Sequence, residues 1–313
     1  MSSIFHYTDA RGLTGIITSG DIYATHFRYL NDSTEGGEIR TLLLPILEAE
    51  TATITAKLVE AKLLSKDFYK EFGSQGHRIQ AEGLYRAIER TATNVTPAFI
   101  TSFCRHDEGT EVFENGLLSQ WRGYAMGGGF AIEFDEAAID ELSAQEVKKY
   151  AYAGSKTEDV LYEEFDREFK AEDYQGLAGA MIAQIFEGRD ISRIAGKKNI
   201  DETMAKFIMA SPFLKNTGFR EEREYRLAVT AIRANHMPAS EKRELKNVKY
   251  RDRNGLVVPY VELFSTVGDD LPIKSIIVGP HPNQELQEEA TKMLLESNGL
   301  VAKVRRSQIP FRW

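Results

Sequence analysis

Residues 4–27 read IFHYTDARGLTGIITSGDIYATHF, and this stretch decides the class of fold. Ile4 to Thr8 is a short strand. Leu13, Ile16 and Ile17 then share one face of a helix, and Gly20 stops it, because glycine takes the left-handed backbone of a helix end without steric penalty. Ile22 to Phe27 is a second strand. Working outward, Ala98 to Phe103 reads as a buried strand, and the turn Gly127-Gly128-Gly129 delivers Phe130 to Phe134, with Phe130, Ile132 and Phe134 on one face. Tyr225, Leu227 and Val229 alternate with Arg226 and Ala228, the period of a half-exposed strand. Asn254-Gly255 between 249–253 and 256–264 is a hairpin signal, since both residues tolerate the positive φ of the tight turn.

The tail closes as another strand-helix-strand unit. Lys274 to Gly279 is a strand, and Asn283 caps a helix with Leu286, Ala290, Met293 and Leu294 on one face. Gly299 ends that helix and Leu300 to Val304 returns as a strand, through a right-handed crossover. Leu286, Ala290 and Met293 are expected to pack on the two strands. Between these strands lie charged helical stretches. Asn31 to Thr34 forms a loop, Asp32 with Glu35 has the form of a capping box, and helix follows to about residue 92, kinked or divided at Pro45 and at Gly73 to Gly76. A second helical stretch covers about 157–209. The expectation is an α+β single domain over 1–313: a central mixed/antiparallel sheet with helical insertions at about 35–92 and 157–209.

Composition narrows the function. The chain has 313 residues, 42% of them hydrophobic, and 47 acidic against 39 basic residues for a formal net charge of −8. That balance argues against sequence-independent attraction to a phosphate backbone, which needs clustered Lys and Arg. The lone Cys104 excludes an intrachain disulfide, and at the end of an apolar strand it reads as a small buried hydrophobe. No window has the roughly 18 apolar residues of a membrane span, and residues 1–6 do not resemble a signal peptide. The expected setting is cytoplasmic, with no membrane association. The six histidines, His6, His26, His77, His106, His236 and His281, show no HExxH or i,i+4 spacing, so no metal is expected. Nucleophile-elbow, phosphate-loop and dinucleotide glycine motifs are missing as well.

What remains is polar residues where strands end or turn. His6 lies on the first strand between Phe5 and Tyr7, either a core imidazole bonded to backbone or a functional one. Leu118 to Tyr124 sets Trp121 and Tyr124 around Arg122, a cluster that either pins a loop or stacks a planar ring and holds a phosphate. Phe219 to Arg226 is a charge run entering a strand, in which Arg220, Glu222 and Glu224 are either a self-paired edge or a site.

These blocks carry a resemblance. Phe5-His6-Tyr7-Thr8, the GLxGII helix of Gly12 to Ile17, and Ala24 to Asp32 resemble the bacterial family called domain of unknown function 2971. Ser119-Gln120-Trp121-Arg122-Gly123-Tyr124, Phe219-Arg220-x-Glu222-x-Glu224-Tyr225-Arg226-Leu227 and Ile276-Ile277-Val278-Gly279-Pro280 resemble its later blocks in order. A second resemblance, of the first-strand histidine and the helix ending Ser19-Gly20, is to the ADP-ribosyltransferase fold of the His-Tyr-Glu type. It implies that His6, with Tyr7 and Thr8, holds the ribose of NAD, and that Glu224 or Glu222 orients the ribose or the acceptor. The tyrosine of that group has Phe130 or Ile132 in its place here, leaving Trp121 or Tyr124 to stack on nicotinamide. Arg122 or Arg220 then contacts the diphosphate.

The implied activity is transfer of ADP-ribose from NAD to a protein or nucleic acid, in a toxin or phage-defence effector with an antitoxin or regulatory partner. Two alternatives stand beside it: a non-catalytic nucleotide-binding or interaction module, and a metal-dependent nuclease using Glu133, Glu222 and Glu224. The transferase reading requires His6, Trp121 to Tyr124 and Arg220 to Arg226 to line one pocket. It expects Glu224→Gln to abolish turnover at an unchanged melting temperature. A structural Glu224, paired with Arg220 or Arg226, loses stability instead.

Overall fold

The structure is a computed structural model that describes residues 3–30, 36–65, 67, 75–124, 128–186, 191–232, 237–264, 266–267 and 270–310. The expected loop at Asn31 to Thr34 and the capping box of Asp32 with Glu35 lie outside these residues, as do Gly73, Gly127 and His236. The chain divides into two compact units. One comprises Met1–Tyr29, Phe99–Val160 and Gly218–Trp313, the other Leu30–Ala98 and Leu161–Thr217.

Among the described residues, the first unit is built on a mixed sheet of eleven strands. They are β1 (Ser3–Thr8), β2 (Ile22–His26), β3 (Ala98–Arg105), β4 (Phe130–Asp135), β5 (Tyr150–Asp159), β6 (Glu224–Ala231), β7 (Glu244–Leu245), β8 (Lys249–Arg253), β9 (Leu256–Leu263), β10 (Ile273–Val278) and β11 (Lys303–Arg306). The main path runs β11-β10-β4-β1-β3-β2-β9-β8, with β6 joining β3 to β5 and β7 on β5. β10 with β11 and β5 with β7 pair in parallel. The pairs β1–β4, β1–β3, β2–β9, β5–β6 and β8–β9 are antiparallel.

Strand alternation sorts side chains onto two faces. Ile4, Phe99, Phe103, Phe130, Ile132, Phe134, Tyr225, Leu227, Val229 and Ile276 join Leu13, Ile16 and Ile17 of the helix Ala10–Ser19 in one large core. Phe5, Tyr7, Cys104, Ala131 and Ile277 point the other way, into a smaller cluster around Trp121. The opening reading of the sequence is realised closely. Asp9 caps the first helix through Gly12 N–H, and Gly20 ends it at φ 68°. Asn254 (φ 54°) and Gly255 (φ 79°) make the β8–β9 hairpin turn. Cys104 is buried in the smaller cluster.

Four readings are corrected. The stretch expected to be helical from 157 begins as β5, whose polar residues 154–159 carry no apolar alternation and are held by the ladder to β6. β6 is buried at all eight positions instead of half-exposed, because its second face is covered too. In the helix Gln284–Ser297, Leu286 (63% exposed) and Met293 (67%) face outward, and Thr291 and Leu295 face inward. The Gln284 side-chain amide, within 3.0–3.1 Å of the carbonyls of Val278, Gly279 and Ser307, fixes this rotation. The last strand starts at Lys303, three residues later than read, with Val301 left exposed.

The second unit is helical. Gly37–Glu60, with Pro45 inside a helix that continues beyond it, packs with Gly76–Asn94, Leu177–Ile185 and Ile200–Ala210 around Leu43, Leu47, Tyr85, Leu177 and Phe207. Arg40 and Glu82 tie the first two helices at 2.6 Å. Glu50 accepts from the Gly176 and Ala178 N–H groups, capping the third with its carboxylate.

Candidate functional site

His6 shares its face with Ile4 and Phe103, and its ring lies 5.8 Å from that of Phe103. Its Nδ1 is 2.9 Å from the Ser102 carbonyl oxygen. A carbonyl only accepts, so Nδ1 carries the proton and Nε2 keeps a lone pair. The bond falls where β3 passes from pairing with β1, at Phe5 and Cys104, to pairing with β2, at Thr25 and Ile100. Burial, opposed by the Ser102 bond and helped by the Arg251 charge, lowers the pKa of His6. Thr8 is half-buried, with Oγ1 against Gly12, where an added Cβ would lie 1.9 Å away.

Tyr7 belongs to the opposite face. Its hydroxyl accepts from Leu117 N–H at 2.7 Å and lies 2.8 Å from Nε2 of His106, whose Nδ1 is 2.9 Å from the Arg105 carbonyl. His106 therefore donates from Nδ1, and its Nε2 accepts the Tyr7 O–H. Burial pushes the His106 pKa down to about 4, opposed by the Arg105 bond and aided by Arg223. Because the folded value lies below the ordinary 6.5, the stability tied to the neutral ring is present above pH 6.5. It is lost as pH falls from there toward 4, by about 3 kcal/mol. His106→Gln, which retains an acceptor for Tyr7, is expected to flatten the loss of stability between pH 7 and 4.5 in urea melts. Parallel curves for variant and wild type would refute this role.

Trp121 is fully buried. Its ring lies 4.9 Å from that of Tyr7, and its Nε1 donates to the Asn115 carbonyl at 3.0 Å. Gly116, at φ 76°, and Gly279 leave the space it fills, since a Cβ would lie 2.4 Å and 2.9 Å from the ring. The expectation that Trp121 stacks on a ligand is corrected: both sides of the indole meet protein.

Tyr124, at the end of the helix Leu118–Tyr124, keeps 38% of its surface exposed. Its hydroxyl pKa is raised above the usual range by its partly enclosed position and then by the charges of Glu224 and Glu222, with Cys104 a smaller influence. These residues therefore approach one another on the face of Cys104 and Tyr7. Glu224 is 3% exposed and meets Arg226, 1% exposed, at 2.5 Å. Glu222 is half-buried at the end of the turn Thr217–Glu222, and Arg220 and Arg122 are exposed.

The single pocket expected from the sequence is thus not formed. Tyr225, Leu227 and Val229 share the core of His6's face, so Glu224 and Arg226 project from the other. The sheet separates His6 from Glu224. It does bring Tyr124, Glu222 and Glu224 together, with Tyr7 and Trp121 beneath the same face as internal supports.

Glu133 is also structural, accepting from Ser3 Oγ at 2.8 Å and from Ser275 Oγ. Among the described residues no group of three or more His, Cys, Asp or Glu is placed to hold a metal. A separate groove of about 610 Å³ is lined by Glu111, Glu114, Lys303, Arg305 and Arg306, none of them a candidate from the sequence. Two residues the sequence reading passed over matter here. His106 locks Tyr7, and Arg251, on the recognised hairpin, is a charge that acts on His6; the strand period of 249–253 is the available signal for the latter.

The aromatic-carboxylate face coincides with a family match. Residues 120–227 match a family described as protein of unknown function (DUF2971). This segment belongs to the DUF2971 family. The DUF2971 segment contains Trp121, Arg122, Tyr124, Arg220, Glu222, Glu224 and Arg226, and leaves His6, Tyr7 and Thr8 outside. No curated protein and no solved structure matches the chain.

Proposed function

We propose that the protein is an NAD-consuming ADP-ribosyltransferase whose working face is that of Tyr124, Glu222 and Glu224. The observation that supports this reading most is a partly exposed tyrosine whose hydroxyl is under the influence of two carboxylate charges, one of them on a half-buried residue. Glycosyl transfer from NAD breaks the bond between ribose and nicotinamide, and the electron pair leaves on nicotinamide. The cation-like ribose is stabilised by a carboxylate until an acceptor atom bonds to it.

Glu222 is the better group for that role, because Glu224 is enclosed and neutralised by Arg226. Glu224 then positions the strand entry. Tyr124 supplies the aromatic face, and Arg122 and Arg220 supply forked donors for the diphosphate. His6 is left out of the reacting group. A macromolecular acceptor, protein or nucleic acid, and a toxin or phage-defence role with an antitoxin or regulatory partner follow from the resemblance to the transferase fold.

The test is incubation of the purified protein with NAD labelled in its ADP-ribose part, together with cell protein or nucleic acid. Label carried onto a macromolecule supports transfer. The alternative, a non-catalytic nucleotide-binding module, is favoured by the separation of His6 from Glu224, and binding of NAD without nicotinamide release would establish it.

A further inference from the structure

On the β2–β9–β8 part of the sheet, register places Tyr23 opposite Glu262, Thr25 opposite Tyr260, Lys249 opposite Tyr260 and Arg251 opposite Val258. Alternation therefore puts Tyr23, Thr25, Tyr260, Glu262 and the three cations Lys249, Arg251 and Arg253 on one face. Glu262, the carboxylate on this face, is taken by Lys249 at 2.5 Å.

Arg251 lies against a pair of tyrosines. Its guanidinium carbon is 5.3 Å from the Tyr23 ring centre and 5.6 Å from that of Tyr260, and the two rings are 4.3 Å apart. One terminal nitrogen donates to Thr25 Oγ1 at 3.1 Å, while Nε is buried and has no hydrogen-bond partner. Arg253 donates to the Tyr29 carbonyl. Neither arginine has an ion-pair partner among the described residues. Two like charges two residues apart on one strand face, one of them with an unmet buried donor, are unfavourable by themselves. Enclosure first and Arg253 second lower the pKa of Arg251, with Tyr23, Tyr260 and Asp9 acting the other way. The same charge is one of the influences that lower the pKa of His6, after burial.

We propose that Arg251 and Arg253, framed by Tyr23, Thr25 and Tyr260, form a site for a phosphate group. The arrangement fits that chemistry because the guanidinium fork matches phosphate oxygens, and the tyrosines hold the fork rigid and partly dry. The inference does not rest on NAD turnover at Glu222. Phosphate here has two sources, a free inorganic ion or a nucleotide, and the paired titrations distinguish them.

The experiment is titration calorimetry of the full chain at low ionic strength with inorganic pyrophosphate and, separately, with ADP. Binding of either is expected, with at least a tenfold loss in Arg251→Gln and in Arg253→Gln and none in Lys292→Gln, an exposed position on the helix Gln284–Ser297. Tighter binding of ADP identifies a nucleotide; equal or weaker binding identifies the inorganic ion. Arg251→Gln is also expected to melt no lower than wild type without ligand, because it removes a charge that lacks a counterion. If Arg251→Gln fails to fold, Arg253→Gln still decides. Absence of binding by both ligands, or affinity unchanged in Arg253→Gln, overturns the proposal.

Discussion

Glu224→Gln is expected to lower the stability of the chain by about 3–5 kcal/mol, because it removes the charge from one member of a fully buried ion pair. The pair is separated by 2.5 Å, at 2% and 4% side-chain exposure, on a strand covered on both faces. Of the two outcomes the sequence leaves open this is the structural one; a catalytic Glu224 would lose its charge at an unchanged melting temperature. Replacing both residues, as Glu224→Gln with Arg226→Met, should recover much of the loss, since the buried cation is removed together with its carboxylate. Urea denaturation of the three proteins checks it. A single variant within 1 kcal/mol of wild type would refute the structural role.

The second large effect is at Trp121. Trp121→Ala should cost about 3–5 kcal/mol through the cavity left between Tyr7 and the two glycines. The indole is fully enclosed, and its N–H is satisfied by Asn115, so nothing in its setting offers compensation. Removal also frees Tyr7, so the Tyr7–His106 bond should loosen with it. Thermal melting and the near-ultraviolet dichroism of the variant measure both. A small change in melting temperature with a large loss of NAD turnover would return Trp121 to the ligand-stacking role.

The elements legible in the sequence are those whose side chains alternate with one face buried and whose ends carry glycine. β1, the first helix, β2, β4 and the β8–β9 hairpin are of this kind, and their bounds lie close to those read. β5 was hidden because its stabilisation is in the backbone ladder to β6, while Gly154 to Asp159 have no apolar period to notice. The rotation of the Gln284–Ser297 helix was hidden for a related reason. Its apolar residues suggest one face, yet the polar anchor at Gln284 turns another inward.

At the candidate site, residue types drew attention to Tyr124, Glu222 and Glu224, and the charges of the two carboxylates act on the Tyr124 hydroxyl. Residue types could not assign His6. Whether a strand residue points up or down relative to another depends on pairing register across β1, β3 and β6, and that is a property of the assembled sheet. The same register made Trp121 and Tyr7 internal, although in the sequence they look as available as Tyr124.

Nicotinamide release by wild type and Glu222→Gln, compared at equal folded concentration, tests the central claim most directly. Glu222 is half-buried and the substitution keeps its shape, so the melting temperature is expected to change by far less than in Glu224→Gln. The expected result is measurable release by wild type and a fall of about 100-fold or more in the variant, the scale of losing a charge that stabilises the transition state. Equal release by the two proteins, or none by wild type with protein and nucleic acid acceptors supplied, would contradict it.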